Sequence, residues 1–200
     1  MSEPILNLYK HLQFNPYDTP LAITGFVKKD KYKVVIDNLH EIIKLSVSSK
    51  MCEDDCINLM KKIKPNSLNI SENKNITDNF AEYLSGINSL TMSCCNQNTI
   101  TDKFIAYANK LDILDMSSCN QNTITDKFSE SLKSIHILNM SGCDQETITD
   151  KFMSNIAGIE FLNLTNCNQK TITVVSIAKL IGTNMLIWKD GTIVNLNGSM

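Results

Sequence analysis

The stretch Thr123-Ile124-Thr125-Asp126-Lys127-Phe128 decides the fold, because the same six residues also begin at Thr99 and at Thr147. The three copies start 24 residues apart. A fixed period of about 20 to 50 residues is typical of chains in which one structural unit stacks on the next. In such a stack, equivalent positions form rows along the molecule, so function is expected in rows of residues rather than in one isolated group.

A longer pattern surrounds the hexapeptide. In one unit it places apolar residues at Leu111, Leu114 and Met116, followed by Cys119 and Gln121. The same pattern returns in units that begin at Ile87, Ile135 and Ile159. Upstream the pattern becomes weaker. A shorter unit around Leu68 lacks the cysteine. Leu45 and Leu21 lie at near-repeat positions, and each is followed by a plausible helix.

These spacings predict three parts of the chain. Residues 21–184 are repeats of about 24 residues, clear over 67–184 and degenerate over 21–66. Residues 1–20 form an N-terminal helical cap, since the apolar residues near Leu8 and Leu12 are followed by two prolines. Residues 185–200 form a C-terminal capping strand or hairpin, because an Asp-Gly turn separates two β-prone runs.

Each unit reads as a strand, a polar turn and a short helix. The alternation around Leu114 and Met116 predicts a strand with one face buried. The Thr-Asp pair predicts a helix start, where either side chain can cap and the acid complements the helix dipole. Phe128 and Leu132 then form an apolar stripe. Strands that run the same way with helices between them predict an α/β solenoid, with a curved parallel sheet on the concave side and helices on the convex side.

The chain resembles a leucine-rich-repeat protein in the order of its leucines, cysteine and Ile-Thr-Asp. The closest subtype is the cysteine-containing one of F-box proteins, although two residues more than usual separate Cys119 from Ile124 and the helical stretch is shorter by about one turn. A stubby or partly 3₁₀ helix is therefore expected. The resemblance implies a protein-binding role. As an alternative, it implies a substrate-recognition subunit of an SCF-type ubiquitin ligase, with a degenerate N-terminal F-box that binds a Skp1-type adaptor.

Two kinds of cysteine position need an interpretation. A row at the 24-residue period places thiols in a line, which is wrong for tetrahedral zinc, and an odd total of seven without a secretory signal argues against disulfides. We interpret the row as small buried hydrophobes at the strand-to-turn corner. Cys52 and Cys56 are interpreted as part of one apolar helical face. The row consists of Cys95, Cys119, Cys143 and Cys167.

Composition and motifs narrow the function. A net charge of −2 gives no electrostatic reason to expect a nucleic-acid or membrane partner. Because no secretory signal is visible, we expect an intracellular, cytoplasmic protein. The three histidines fall in different units, and no glycine-rich phosphate loop or zinc-protease motif occurs. Asp78, Asp102, Asp126 and Asp150 are interpreted as helix caps. No catalytic residue, metal site or cofactor is therefore predicted.

The candidate binding residues lie on the strand face opposite the core. The position before the core leucine is apolar in most units, which predicts an exposed apolar stripe of the kind that forms interfaces. The alternative is that these side chains only pair across strands to stabilise the sheet. The stripe includes Ile113, Ile137 and Phe161, flanked on one side by Asp112, His136 and Glu160 and on the other by Asp115, Asn139 and Asn163. A protein partner of unknown identity is the predicted ligand.

Overall fold

The computed structural model describes residues 35–39, 42–180 and 182–196, and the side chains from residue 44 onward. The predicted cap over 1–20 and the repeat position at Leu21 lie outside the described residues. The described residues form one nine-stranded sheet in which the strands follow one another in chain order. The strands are β1 Val35–Leu39, β2 Ile42–Ser46, β3 Ser67–Asn69, β4 Ser89–Thr91, β5 Ile113–Asp115, β6 Ile137–Asn139, β7 Phe161–Asn163, β8 Met185–Ile187 and β9 Ile193–Asn195.

The strands from β2 to β8 pair in parallel and in register, so that Leu68, Leu90, Leu114, Leu138, Leu162 and Leu186 form one buried row. The antiparallel strands β1 and β9 flank them. Between β8 and β9 the chain turns at Gly191, whose φ of 84° is in the left-handed region that glycine adopts readily. The half-buried Trp188 packs against the core beside this turn.

Short helical segments connect the parallel strands. The helices are α1 Glu53–Ile63, α2 Asp150–Asn155 and α3 Val175–Lys179, and the 3₁₀-helices are η1 Asp78–Leu84 and η2 Asp126–Ser131. The expected stubby or 3₁₀ form is therefore confirmed, although the unit between β4 and β5 has turns where a helix was expected. The apolar face predicted for the helical segment is also confirmed, since Phe128 and Leu132 are both buried.

One part of the degenerate region differs from the prediction. A helix was expected between Leu21 and Leu45, but Val35–Leu39 is a strand that forms a hairpin with β2. The run Val34-Val35-Ile36 is β-branched, and such residues favour strands over helices. Leu45 itself lies in the predicted register, opposite Leu68, and α1 follows it as expected.

The hexapeptide joins consecutive units. The hydroxyl of its first threonine, Thr123, donates to the carbonyl oxygen of Ile100 at 2.6 Å. Ile124 and Phe128 are buried in the core. The hydroxyl of the second threonine, Thr125, donates to Asp102 of the preceding unit at 2.7 Å and accepts the backbone N–H of Lys127 at 3.2 Å.

The repeated aspartates are therefore not the helix caps that the sequence predicted. Threonine is the cap, and the carboxylate of Asp126 accepts the backbone N–H and the hydroxyl of Thr149 in the next unit at 2.8 and 2.7 Å. A helix cap is formed by the side chain of the residue before the helix. Asp126 is already the first helical residue, and its oxygens bond to the next unit instead of to its own helix. The same carboxylate–threonine link joins Glu53 to Thr77, Asp78 to Thr101, Asp102 to Thr125 and Asp150 to Thr173.

The turn after each strand from β3 to β7 has a left-handed residue at an equivalent position. These residues have φ between 55° and 67°, and the row consists of Glu72, Cys94, Ser118, Gly142 and Asn166. Only one of the five is glycine, although this conformation is costly for a residue with a Cβ. The units therefore retain a common backbone path despite their different side chains.

Candidate interaction surface on the strand face

The register of the parallel strands brings the predicted apolar side chains together. Ile113 lies opposite Ile137, and Ile137 lies opposite Phe161. Together with Met185 and Ile187 they form a second apolar cluster, separate from the main core. We call these five residues the strand-face cluster. Because side chains alternate along a strand, this cluster occupies the sheet face opposite the row of core leucines.

The expectation that this stripe is openly exposed is wrong at two of its three predicted members. Ile137 and Phe161 are only 3% and 7% exposed, while Ile113 is half-buried. Neighbouring parallel strands lie about 4.8 Å apart, which brings the large side chains of consecutive units into contact. The cluster therefore stabilises the sheet, and its free apolar area is smaller than the sequence suggests.

The polar residues on one side of the cluster shape the backbone. The side-chain oxygen of Asp115 accepts the backbone N–H of Ser117 at 2.9 Å. Asn139 and Asn163 make the same bond, two residues ahead, at 3.1 and 3.0 Å. Such local turns are a common use of asparagine and aspartate where a strand ends. These three side chains hold the strand exits in shape, and each still presents polar atoms at the half-buried edge.

The residues on the other side of the cluster are more open. His136 and Glu160 are exposed, and the carboxylate of Asp112 contacts Nδ1 of His136. The side chains of His136 and Asp112 are 55% and 46% exposed, so this pair contributes little to stability. The three residues are therefore available to a partner and carry polar or acidic groups beside an apolar cluster.

The cysteine row is buried, as the sequence predicted. The thiol of Cys119 donates to the carbonyl oxygen of Met92 at 3.0 Å, and Cys143 and Cys167 bond the preceding unit in the same way. Burial raises the pKa of the Cys95 and Cys167 thiols to about 11, which makes them poor nucleophiles at neutral pH. The interpretation of Cys52 is wrong, since this residue is exposed and precedes α1, whereas Cys56 is buried.

No group of three or more metal-ligating side chains lies together among the residues that the structure describes. Each of the repeated carboxylates accepts hydrogen bonds from a threonine of the next unit. Burial alone would raise the pKa of Asp150, but hydrogen bonds from Ser176 and Thr173 outweigh this effect and lower it. The arrangement of the repeated carboxylates is that of a structural link between units.

Sequence reasoning missed one member of the strand-face cluster. Ile187 lies opposite Asn163, in the row where the other units carry Asp115 and Asn139. It is buried at the end of the cluster. Its position follows from the register once Leu186 is placed in the row of core leucines, so the signal was present in the 24-residue spacing.

Comparison with known proteins supports the fold. No family model matches the chain, and no curated protein matches it either. A solved structure that it resembles is the crystal structure of a TLR13–ssRNA13 complex, with a TM-score of 0.57 and 19% sequence identity. The match covers 69% of this chain and spans only 20% of that one, which is a leucine-rich-repeat protein.

Within the described residues, every helix is too short or too polar to cross a membrane. The repeat period, the sheet and the likeness to this solved structure all indicate the same architecture. The chain has the α/β leucine-rich-repeat fold, a curved and mostly parallel sheet with short helices between its strands.

Proposed function

We propose that this chain is a non-catalytic protein-interaction module that binds a protein partner on its concave strand face. The observation that carries the proposal is the strand-face cluster, an apolar patch on the sheet face that does not build the main core. Apolar side chains surrounded by polar residues are the usual anatomy of a protein interface. The leucine-rich-repeat fold supports an interaction role in general.

The proposed site has an apolar centre and a polar rim. Ile113 supplies half-buried apolar surface beside Ile137 and Phe161. Asp112, His136 and Glu160 supply the open rim, and Asp115, Asn139 and Asn163 supply the edge that shapes the strand exits. Since two of the three apolar residues are buried, the partner gains most of its contacts from Ile113 and from the open rim.

The test uses the rim, because a charge placed at the buried Phe161 would destabilise the sheet as well as the site. Asp112→Lys with Glu160→Lys reverses two exposed charges on the strand face. We expect affinity capture to recover at least tenfold less of the partner retained by the wild type, with an unchanged thermal transition. Rim charges act mainly on the rate of association, so the loss should depend on salt.

The matched control reverses two exposed charges on the helix side, Lys127→Glu with Lys151→Glu. We expect this variant to capture the partner as the wild type does. Equal capture by the strand-face variant, or a loss in the helix-side variant, would contradict the proposed site.

The cysteine row favours a second candidate function. Cysteine at this position of each unit is the feature of the subtype in F-box proteins, so a substrate-recognition subunit of an SCF-type ubiquitin ligase is the alternative. Residues 35–46 contain a β-hairpin, which a helical F-box excludes. Residues 35–46 are therefore not part of such a module. Co-purification with a Skp1-type adaptor would support this function, and failure to bind the adaptor would remove it.

A further inference from the structure

The strand face is acidic where the proposed partner site lies. We consider the first and last residues of the strands from β3 to β8, together with the residue before each strand. Three of these positions carry carboxylates, and none of them carries a lysine or an arginine. The three carboxylates belong to Asp112, Asp115 and Glu160, which surround the strand-face cluster. An occupant that matches this surface carries apolar groups and positive charge.

The sequence immediately before β1 has that character. Residues 26–33 read Phe-Val-Lys-Lys-Asp-Lys-Tyr-Lys, with four lysines and one aspartate. Phe26, Val27 and Tyr32 supply apolar and aromatic groups within the same eight residues. We call residues 26–33 the basic segment. Its net positive charge is opposite to that of the strand face, and opposite charges favour both encounter and register.

The register of the sheet fixes the position of Val35, the first described residue after the basic segment. Val35 lies opposite Ser46, and the same row continues through Asn69 and Thr91 to Asp115. Val35 therefore lies at the edge of the sheet at which Asp115 and the asparagines of the later units lie.

The chain is long enough to reach the strand-face cluster from that edge. From β1 to β7 there are six inter-strand spacings, which amount to about 29 Å. The nine residues from Val35 back to Phe26 span up to about 30 Å when extended. Phe26 therefore comes within reach of Ile137 and Phe161 while Val35 stays in β1.

The helix side of the sheet offers no comparable match. It carries both exposed lysines and exposed acids, including Lys127, Lys151 and Glu130. A cationic segment gains less from this mixed surface than from the strand face, where the positions considered from β3 to β8 carry acids and no lysine or arginine, and Lys44 lies three strands from β5, in β2.

We propose that the basic segment binds the acidic strand face between β5 and β7 of its own chain and competes there with the partner. This inference rests on the proposed partner site and describes its regulation. A segment joined to β1 through residue 34 alone acts at a high effective concentration, in the millimolar range for short flexible connections. A partner must therefore displace it, which lowers the apparent affinity of the site.

The first test uses a zero-length carbodiimide reagent, which joins lysine amines to carboxylates in direct contact. In the full chain we expect links from lysines 28, 29 or 31 to Asp112, Asp115 or Glu160, located by mass spectrometry. Their yield should not change with protein concentration and should fall at high salt. The variant Phe26→Ser with Tyr32→Ser keeps every lysine, and we expect severalfold fewer links in it.

The second test measures competition. A fluorescent peptide of residues 24–34 is titrated against the full chain and against a full-chain variant with lysines 28, 29, 31 and 33 replaced by Glu. We expect the peptide to bind this variant at least tenfold more tightly than the wild type, because the displaced segment no longer competes. Adding Asp112→Lys and Glu160→Lys to the variant should abolish peptide binding.

Several outcomes would overturn the inference. Equal peptide affinity for wild type and variant would mean that the basic segment does not occupy the site. Links whose yield rises with concentration would place the segment on a second copy, and links to Glu130 would place it on the helix side. The proposed function fails separately, when the strand-face variant Asp112→Lys with Glu160→Lys captures the partner as well as the wild type does.

Discussion

Individual residues carry two roles in this chain, and threonine shows this best. The Thr125 hydroxyl donates to a carboxylate of the preceding unit and accepts a backbone N–H of its own helix. One side chain thus caps a helix and joins two units. The sequence indicates a cap at this position, but the choice between Thr and Asp depends on which oxygen meets the first free N–H, and that requires the backbone geometry.

The left-handed turn residue gives a prediction at the residue scale. Ser118 has a φ of 55°, which costs a residue with a Cβ about 1–2 kcal/mol. Glycine avoids this strain but loses more backbone entropy on folding, by about 0.5–1 kcal/mol. We expect Ser118→Gly to raise the free energy of unfolding by about 0.5 kcal/mol, measured by urea denaturation.

The neighbouring residue is the control, since Ser117 is outside the left-handed region and Ser117→Gly should destabilise. The reciprocal change Gly142→Ser should also destabilise, because a Cβ at Gly142 would lie 3.0 Å from the Ser118 hydroxyl oxygen. A loss of stability in Ser118→Gly comparable to that in Ser117→Gly would show that the left-handed conformation is not under strain.

Most strands and helices of this chain are short, and hydrogen bonds between units offset their low intrinsic stability. Strands of three residues and helices of five or six are marginal alone. The carboxylate–threonine links, thiol–carbonyl bonds and threonine–carbonyl bonds recur between consecutive units. Each row repeats one bond along the stack, so the stability of one helix start depends on the unit before it.

A prediction at the element scale follows from the carboxylate of Asp126, which accepts two bonds from Thr149. Asp126→Ala leaves the Thr149 N–H without this acceptor. We expect a loss of about 1–2 kcal/mol in the free energy of unfolding, at the lower end for bonds to a charged group because the site is partly exposed. Urea denaturation followed by circular dichroism measures it.

Lys127→Ala is the matched control, one residue along the same helix start and exposed. We expect its stability to stay within about 0.5 kcal/mol of the wild type. If the two variants unfold at the same urea concentration, the link between units contributes nothing measurable.

The units were predictable from the sequence because their period is short and their apolar identities recur. The strand around Leu114 and the buried Cys119 follow directly from that pattern. Exposure on the opposite face was not predictable, since alternation assigns Ile137 to a face but does not say how closely Phe161 packs beside it. The burial of Gln121 was not predictable either, because a polar residue gives no sequence signal that it is buried.

At the scale of the whole molecule, the described units contact their sequence neighbours through equivalent positions. Such a stack behaves approximately as a sum of units and of the contacts between neighbours. Removing residues 113–136 would join Asp112 to Ile137 and place β6 directly beside β4 in the same register. We expect this deletion to fold into a sheet with one strand fewer and to unfold with a smaller dependence on urea concentration.

A deletion of half the length is the control. Removing residues 113–124 would place the helix start at Thr125 where the sheet needs a strand, and we expect it to leave the chain unfolded by circular dichroism. If both deletions abolish folding, the units are not interchangeable.

The identity of the three hexapeptides has a consequence for the proposed binding role. Units held by the same bonds at every junction can be gained or lost without new chemistry, and each one changes the concave face by about 4.8 Å. Under the proposed function, the footprint offered to a partner is therefore adjustable in discrete steps. Its length can vary through the number of copies, while its specificity varies through a few side chains such as His136 and Glu160, which the joining bonds leave free to differ.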